Sequence, residues 1–251
     1  YQNFLTHAWP ILSQKGLPAT VFVPTSHIRD QPGLYLSWPQ IRRLARQGVF
    51  FASHSHAHAH LAHALRDKGP KWVKDDVMRS MVLLAKHTGQ KPSILAYPYG
   101  EYSLALKRLA RNNGWIAFGQ HSGPLPWQPD WQALPRFPLN RYVSHASFRE
   151  KLRTLPMPVD GQFWSSESFV SETMPELKFY VTTRLRVQCY ASGVGAIPTK
   201  IAMTSNGMEV LAQTTRPFVG PRFRYNCTAP ANDGLYYWIS HPFVLQSPPV
   251  D

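Results

Sequence analysis

Val49-Phe50-Phe51-Ala52-Ser53-His54-Ser55-His56-Ala57-His58-Ala59-His60-Leu61 is the stretch on which the reading of this chain turns. A short apolar run with the look of a strand passes directly into four histidines that alternate with small residues. If a helical turn follows a strand ending near Ser53, His54 and His58 lie on one face of it. Their Cβ atoms are then about 5–6 Å apart, within reach of a single metal ion. A fully extended path instead puts all four imidazoles on one face of a strand, with no other ligand type beside them. A third reading is a polar, partly exposed histidine-rich loop that holds no metal. Spacing alone leaves all three open.

Outward from this stretch, helical and strand-like segments alternate. Residues 2–15 carry Phe4, Leu5, Ala8, Trp9 and Leu12 on one stripe, which predicts an amphipathic helix kinked at Pro10 and capped by Gly16. Ala19 to Val23 reads as a buried strand stopped by Pro24, and Ser37 as the cap of a helix ending at Gly48. After the histidines, Val73, Val77, Met81, Leu84 and Ala85 predict a helix over 72–88 with Gly89 behind it. Ser93 to Tyr97 is a strand broken by Pro98-Tyr99-Gly100. Ser103 caps the next helix, Trp115 to Phe118 is another strand, residues 134–139 a further short one, and Ser147 to Thr154 a basic helix. This order is the grammar of parallel β/α architecture, in which chemistry gathers at the C-terminal ends of strands. The histidines occupy one such end and Tyr97-Pro98-Tyr99-Gly100 the next.

Near Leu155-Pro156-Met157-Pro158 the pattern changes. Phe179 to Ser192 alternates with period two, and further strands read at 199–204, 208–215, 222–228 and 234–245. These predict a small antiparallel β-sandwich over 168–251, with 156–167 as linker and 1–155 as the α/β part. Cys189 and Cys227 both lie in strand-like runs; a bond between them closes a 38-residue loop, worth roughly 3–4 kcal/mol. That bond is the expectation, and with it export to an oxidising compartment.

The 251 residues include 27 Lys and Arg against 14 Asp and Glu, for a formal charge of +13. Such a balance favours anionic surfaces. The basic residues are scattered, with no polybasic run, zinc-finger spacing or RNA-binding signature, so no nucleic-acid partner is expected. No apolar run of about 18 residues is present, so no transmembrane segment is expected. Tyr1 opens the sequence without an initiator Met, so the chain is expected to be a fragment with any targeting segment upstream.

The motifs resemble those of the NodB-homology polysaccharide deacetylases, carbohydrate esterase family four. The family's H-[ST]-x-x-H motif reads here as His54-Ser55-His56-Ala57-His58, with Leu61 after it. Its R-x-P-[YF]-G motif reads as Ala96-Tyr97-Pro98-Tyr99-Gly100, complete except for the Arg. Gly16-Leu17-Pro18-Ala19-Thr20-Val21-Phe22-Val23 is similar to the family's second strand. The resemblance covers about residues 1–150. It implies a (β/α) barrel-like deacetylase domain lacking its first strand, and a T-F-D-D-G motif upstream of Tyr1 that supplies the base aspartate and an aspartate metal ligand. This fragment is accordingly expected to be inactive alone.

The implied chemistry is hydrolysis of an N-acetylglucosamine-containing polysaccharide, with Zn²⁺ or another divalent transition metal held by His54 and His58. The backbone N–H of Tyr99 is the expected oxyanion donor. Arg136 is the expected substitute for the motif Arg that Ala96 displaces, while Pro98, Tyr99, His121 and Trp127 are the expected substrate contacts. No L-x-x-H motif for the general acid is found. These departures resemble exported enzymes acting on poly-β-1,6-N-acetylglucosamine, which implies a bacterial periplasmic or envelope location and a possible export or envelope partner docked on the sandwich. The rival reading is a non-catalytic glycan-binding protein on the same scaffold.

Overall fold

Short apolar runs cut off by proline or polar residues form the first sheet: β1 (Thr20–Val23), β2 (Phe50–Ser53), β3 (Ile94–Ala96) and β4 (Ile116–Phe118). Their order is β1-β2-β3-β4, with β1 and β2 parallel from Thr20–Phe50 to Val23–Ser53, and β2 parallel to β3 at Ser53–Leu95. The computed structural model of the protein describes residues 1–28 and 33–247. They belong to two compact units, residues 1–98 with 109–117, and residues 99–108 with 118–251. The last four positions of the expected sandwich, 248–251, lie outside the described residues.

In the first unit, a π-helical turn (Phe4–Ala8) leads into α1 (Trp9–Gln14). Helical residues run without a break from Gln2 to Gln14, as the apolar stripe predicts, and Pro10 follows directly on the π-helical turn, in the first turn of α1. Helix α2 (Trp38–Arg46) opens on a capping box: the Gln40 N–H donates to Ser37 Oγ, and the Ser37 N–H donates to Gln40 Oε1 at 2.8 Å. Helix α3 (Leu61–Thr88) begins eleven residues before the expected Trp72 and breaks at Gly69 (φ 83°, ψ 170°), just ahead of Pro70. Local pattern predicts only the part after the break, because Gly-Pro is a boundary signal. Val73, Val77, Met81 and Leu84 are buried on its inner stripe, as their spacing predicts. Val23, Ile41, Leu44, Val49, Phe51 and Leu84 form the core of this unit.

The α/β class stands, although four strands make an open sheet among the described residues. A closed wall takes about eight. Helix α4 (Leu104–Asn112) is introduced by Ser103, whose Oγ accepts from the Leu106 N–H at 3.1 Å.

In the second unit, the strand expected at 134–139 reduces to a single bridge between Leu134 and Phe118. Pro135 and Pro138 lack the N–H groups a ladder needs. Helix α5 (His145–Leu152) is capped by Ser144. Strands β5 (Thr154–Pro156), β6 (Phe169–Val170), β7 (Glu176–Val181), β8 (Gln188–Ala191), β9 (Gly195–Ala196), β10 (Thr199–Thr204), β11 (Gly207–Gln213), β12 (Arg222–Pro230) and β13 (Tyr236–Leu245) follow. They form an antiparallel sheet β10-β11-β7 and a larger one, β5-β13-β12-β8-β9, with β6 also pairing β13. The expected single run Phe179–Ser192 is divided between the two sheets, since β7 ends at Val181 and β8 starts at Gln188.

Period-two burial is clear: Leu177, Phe179 and Val181 on β7, Met208, Val210 and Ala212 on β11, and Phe223, Tyr225, Cys227 and Ala229 on β12 join one core. Cys189 and Cys227 face each other across β8 and β12 and are bonded. Within the expected linker, Pro156 belongs to β5 and Phe163 is buried in this core.

Candidate functional site

The histidine stretch is neither a helical turn nor an extended strand. Residues 54–60 are a loop in which two non-glycine residues, Ser55 (φ 62°) and His58 (φ 55°), are left-handed. Such backbone is strained by about 1–2 kcal/mol at each position, and a dense set of hydrogen bonds holds it. Ser53 Oγ accepts from the Ser55 N–H at 3.1 Å, and Ser55 Oγ accepts from the His58 N–H at 2.9 Å. The two carboxylate oxygens of Asp76, on α3, accept from the backbone N–H groups of Ala57 (2.9 Å) and His56 (3.0 Å). After β1, the Ser26 N–H donates to the His56 carbonyl at 3.0 Å. Asp76 was missed in the sequence. Its signal is an acid beside Val73 and Val77 on the apolar stripe of a helix, where a charge is admitted only with partners.

This loop brings His54 and His58 together. Their Nε2 atoms are 3.2 Å apart and their ring centroids 4.7 Å apart. His54 Nδ1 lies 2.7 Å from the Ala96 carbonyl oxygen, which accepts a hydrogen bond only if Nδ1 carries the proton. In the neutral ring the Nε2 lone pair is then directed towards His58. Two nitrogens bound tetrahedrally to one zinc at 2.0–2.1 Å would be about 3.3 Å apart. The pair fits that donor set, and the carbonyl bond to Nδ1 is the outer contact that metal-binding histidines ordinarily make.

His56 takes another role: its Nδ1 is 2.8 Å from Thr25 Oγ1. Burial first, then the positive Arg79, lower its pKa against the opposing pull of Asp76. His60 is the N-cap residue of α3, its ring edge-on to His63 at 5.8 Å. His27 was not singled out in the sequence, yet its ring lies 6.0 Å from that of His58.

Pro98 is buried at the end of the first unit's β3 segment. The other expected residues belong to the second unit. Tyr99 (φ 58°) and Gly100 (φ 73°) are consecutive left-handed residues, so the turn fixes the direction of the Tyr99 N–H. A Cβ on Gly100 would come within 2.8 Å of the Gln120 backbone, which accounts for glycine there. Glu101, 1% exposed, pairs with Arg222 at 3.0 Å, and the Arg222 guanidinium lies 5.0 Å from the centre of the Tyr99 ring.

Arg136 donates from Nε to the Gly119 carbonyl at 3.0 Å, and burial lowers its pKa. His121 is buried, and its pKa falls to about 3, through burial first and then the neighbouring His241, Lys107, Arg224 and Arg136. It is therefore neutral at pH 7 and is no store of protons. Trp127 is 89% exposed.

The polysaccharide deacetylase family matches residues 1–117, the span that holds both motifs. By this match, residues 1–117 belong to the polysaccharide deacetylase family. No curated relative matches the chain. Among solved structures, the chain is similar to the Streptococcus pyogenes deacetylase PplD in complex with acetate (21% identity, TM-score 0.54, covering 59% of this chain and 65% of that one). It is also similar to the de-N-acetylase from Aggregatibacter actinomycetemcomitans (17%, TM-score 0.51, covering 60% and 71%). A third is a putative polysaccharide deacetylase from Bacillus anthracis (19%, TM-score 0.51, covering 59% and 47%). At these identities the likeness is one of fold. Among the described residues no helix is long and apolar enough to cross a membrane.

Proposed function

We propose that the deacetylase domain takes part in metal-dependent N-deacetylation of an N-acetylglucosamine polysaccharide, poly-β-1,6-N-acetylglucosamine or a related envelope or exopolysaccharide. The observation that carries this reading is the His54–His58 pair, with Nε2 atoms 3.2 Å apart and one Nδ1 on the Ala96 carbonyl. Zn²⁺ or another divalent transition metal bound there would act as a Lewis acid towards the acetamide and lower the pKa of nearby water.

The chain's own residues have separate tasks. His54 is kept in one tautomer by Ala96, and Asp76 holds the loop so that His58 meets it. The Tyr99 N–H, aimed by two left-handed residues, is the proposed donor to the developing oxyanion, where one such bond is worth roughly 3–4 kcal/mol of barrier. Pro98 sets the entry to that turn. Arg136, fixed on the Gly119 carbonyl, is a positioning group. His121 and Trp127 are proposed sugar contacts, Trp127 by ring stacking at the surface.

Residues 168–251 are proposed to work as an accessory β-sandwich that orients polymer or docks an envelope partner, with β5 and Phe163 packed into it. The Cys189–Cys227 bond supports a periplasmic or envelope location.

The test is acetate release from N-acetylglucosamine oligomers by the natural full-length protein loaded with zinc. Release that EDTA stops and zinc restores is the expected result. No acetate from any oligomer by the metal-loaded protein, with glycan binding that survives EDTA, would establish the glycan-binding alternative instead.

A further inference from the structure

The outer face of β12, turned away from the core, carries Arg222 and Arg224 two residues apart, so both side chains leave the same side of the strand. A cavity of about 250 Å³ opens over them, formed by second-unit residues alone; Tyr99, Glu101, Gln120 and His121 are among the others that line it.

The charges there do not balance. Arg222 is matched by Glu101 at 3.0 Å. The Arg224 side chain has no ion pair or hydrogen bond among the described residues, and its Nε is buried without a partner. Ser192 donates from its N–H and Oγ only to the Arg224 backbone carbonyl, at 3.1 and 3.3 Å, which anchors the strand and leaves the guanidinium unspent. A buried guanidinium Nε without an acceptor is unfavourable, and an anion entering the cavity would supply one. A guanidinium presents its donors in a planar fork that matches a carboxylate.

Two further features narrow the ligand. His121, 4% exposed, has its Nδ1 buried without a partner at the same cavity. Gln120 is exposed at the rim and brings an amide able to donate and to accept. Neutral polar groups beside one unmatched cation suit hydroxyl groups around one negative charge. The volume lies below the range for drug-sized ligands and leaves room for about one sugar unit.

We propose that this cavity is a binding site for a sugar carboxylate, a uronic acid unit, with Arg224 as the partner of the carboxylate. The site shares Tyr99 and His121 with the deacetylation reading, but neither His54, His58 nor a metal takes part in it, so glucuronate binding to the metal-free chain is read apart from acetate release.

Isothermal titration of the full chain with glucuronate, glucose, acetate and inorganic phosphate tests the proposal, with the Arg224→Gln variant alongside. The expected result is saturable glucuronate binding, at least tenfold weaker in R224Q, with glucose undetected and acetate and phosphate at least tenfold weaker than glucuronate. The idea is overturned by absent glucuronate binding, by equal binding in R224Q, by glucose binding as well as glucuronate, or by acetate or phosphate matching it. Arg224 has no side-chain bond to lose, so R224Q is expected to melt at or above the wild-type temperature. A variant that fails to fold would show a structural partner for Arg224 and would equally overturn the site.

Discussion

The histidine loop after β2 and the outer face of β12 keep polar groups away from water by opposite means. In the loop, the groups come from one continuous stretch, and a single distant carboxylate, Asp76, satisfies the backbone that would otherwise resist the bend. On β12, the groups come from segments more than a hundred residues apart, as in Arg222 with Glu101 or Asn226 with Ser122. A site of the first kind leaves a motif in the sequence. One of the second kind leaves only a basic residue in a strand, which looks like any solvated charge. The lesson is that motif strength measures how local a site is rather than how well built it is.

The sharpest break of this contrast is His54→Ala. It is expected to lower acetate release by about a thousandfold or more, several kcal/mol of barrier, with the melting temperature little changed. Unchanged activity by a coupled acetate assay would remove the loop from the chemistry.

On the other side, the second unit holds two fully buried histidines with lowered pKa values, His121 at about 3 and His241 at about 4, burial being the first cause of each. Above the ordinary value of about 6.5 both are neutral in folded and unfolded chains, and they add no pH dependence. As the pH falls below 6.5 the unfolded chain takes up protons that the folded one refuses. Stability is then lost at about 1.4 kcal/mol per pH unit for each ring, His241 levelling off near pH 4 and His121 near pH 3. Urea unfolding should show a loss of about 4 kcal/mol between pH 7 and pH 5; equal stability at both would mean that the rings protonate in place.

Reducing the Cys189–Cys227 bond, which closes a 38-residue loop, should lower the stability of the second unit by roughly 3–4 kcal/mol and leave metal binding by the first unit intact. Melting with and without reductant, beside zinc titration, checks both halves. Asp76→Ala sharpens the contrast from the other side. Two backbone N–H groups lose their acceptor, which costs about 2–4 kcal/mol, and metal affinity should fall about 10–100-fold although no ligand is touched. A normal zinc dissociation constant in D76A would show that the loop holds itself. The smallest effect is expected for Trp127→Ala, whose side chain is 89% exposed: within about 0.5 kcal/mol by urea unfolding, with any change confined to KM for long oligomers.

Much of this was legible in the residues. Capping by Ser37, the buried stripe from Val73 to Leu84, the period-two strands β7, β11 and β12 and the pairing of Cys189 with Cys227 all follow from local periodicity or spacing. The misses share a cause as well. Residues 61–68 carry no local helix signal of their own ahead of the Gly69-Pro70 break, whereas tertiary burial of Leu61, Ala62 and Ala64 holds that first piece. The strand expected at 134–139 had apolar character but two prolines, and lack of N–H donors prevailed.

By itself the sequence determined the strand-to-histidine junction, the deacetylase motifs at 54–58 and 97–100, and the change to a β-rich half. Each depends on residues close enough along the chain for spacing to imply geometry. Only the tertiary structure decided that His54 and His58 meet across a left-handed loop rather than a helical turn, that Asp76 holds it, and that Arg222 is matched while Arg224 is not. Burial and partner count are properties of packing between distant segments, and no local pattern encodes them.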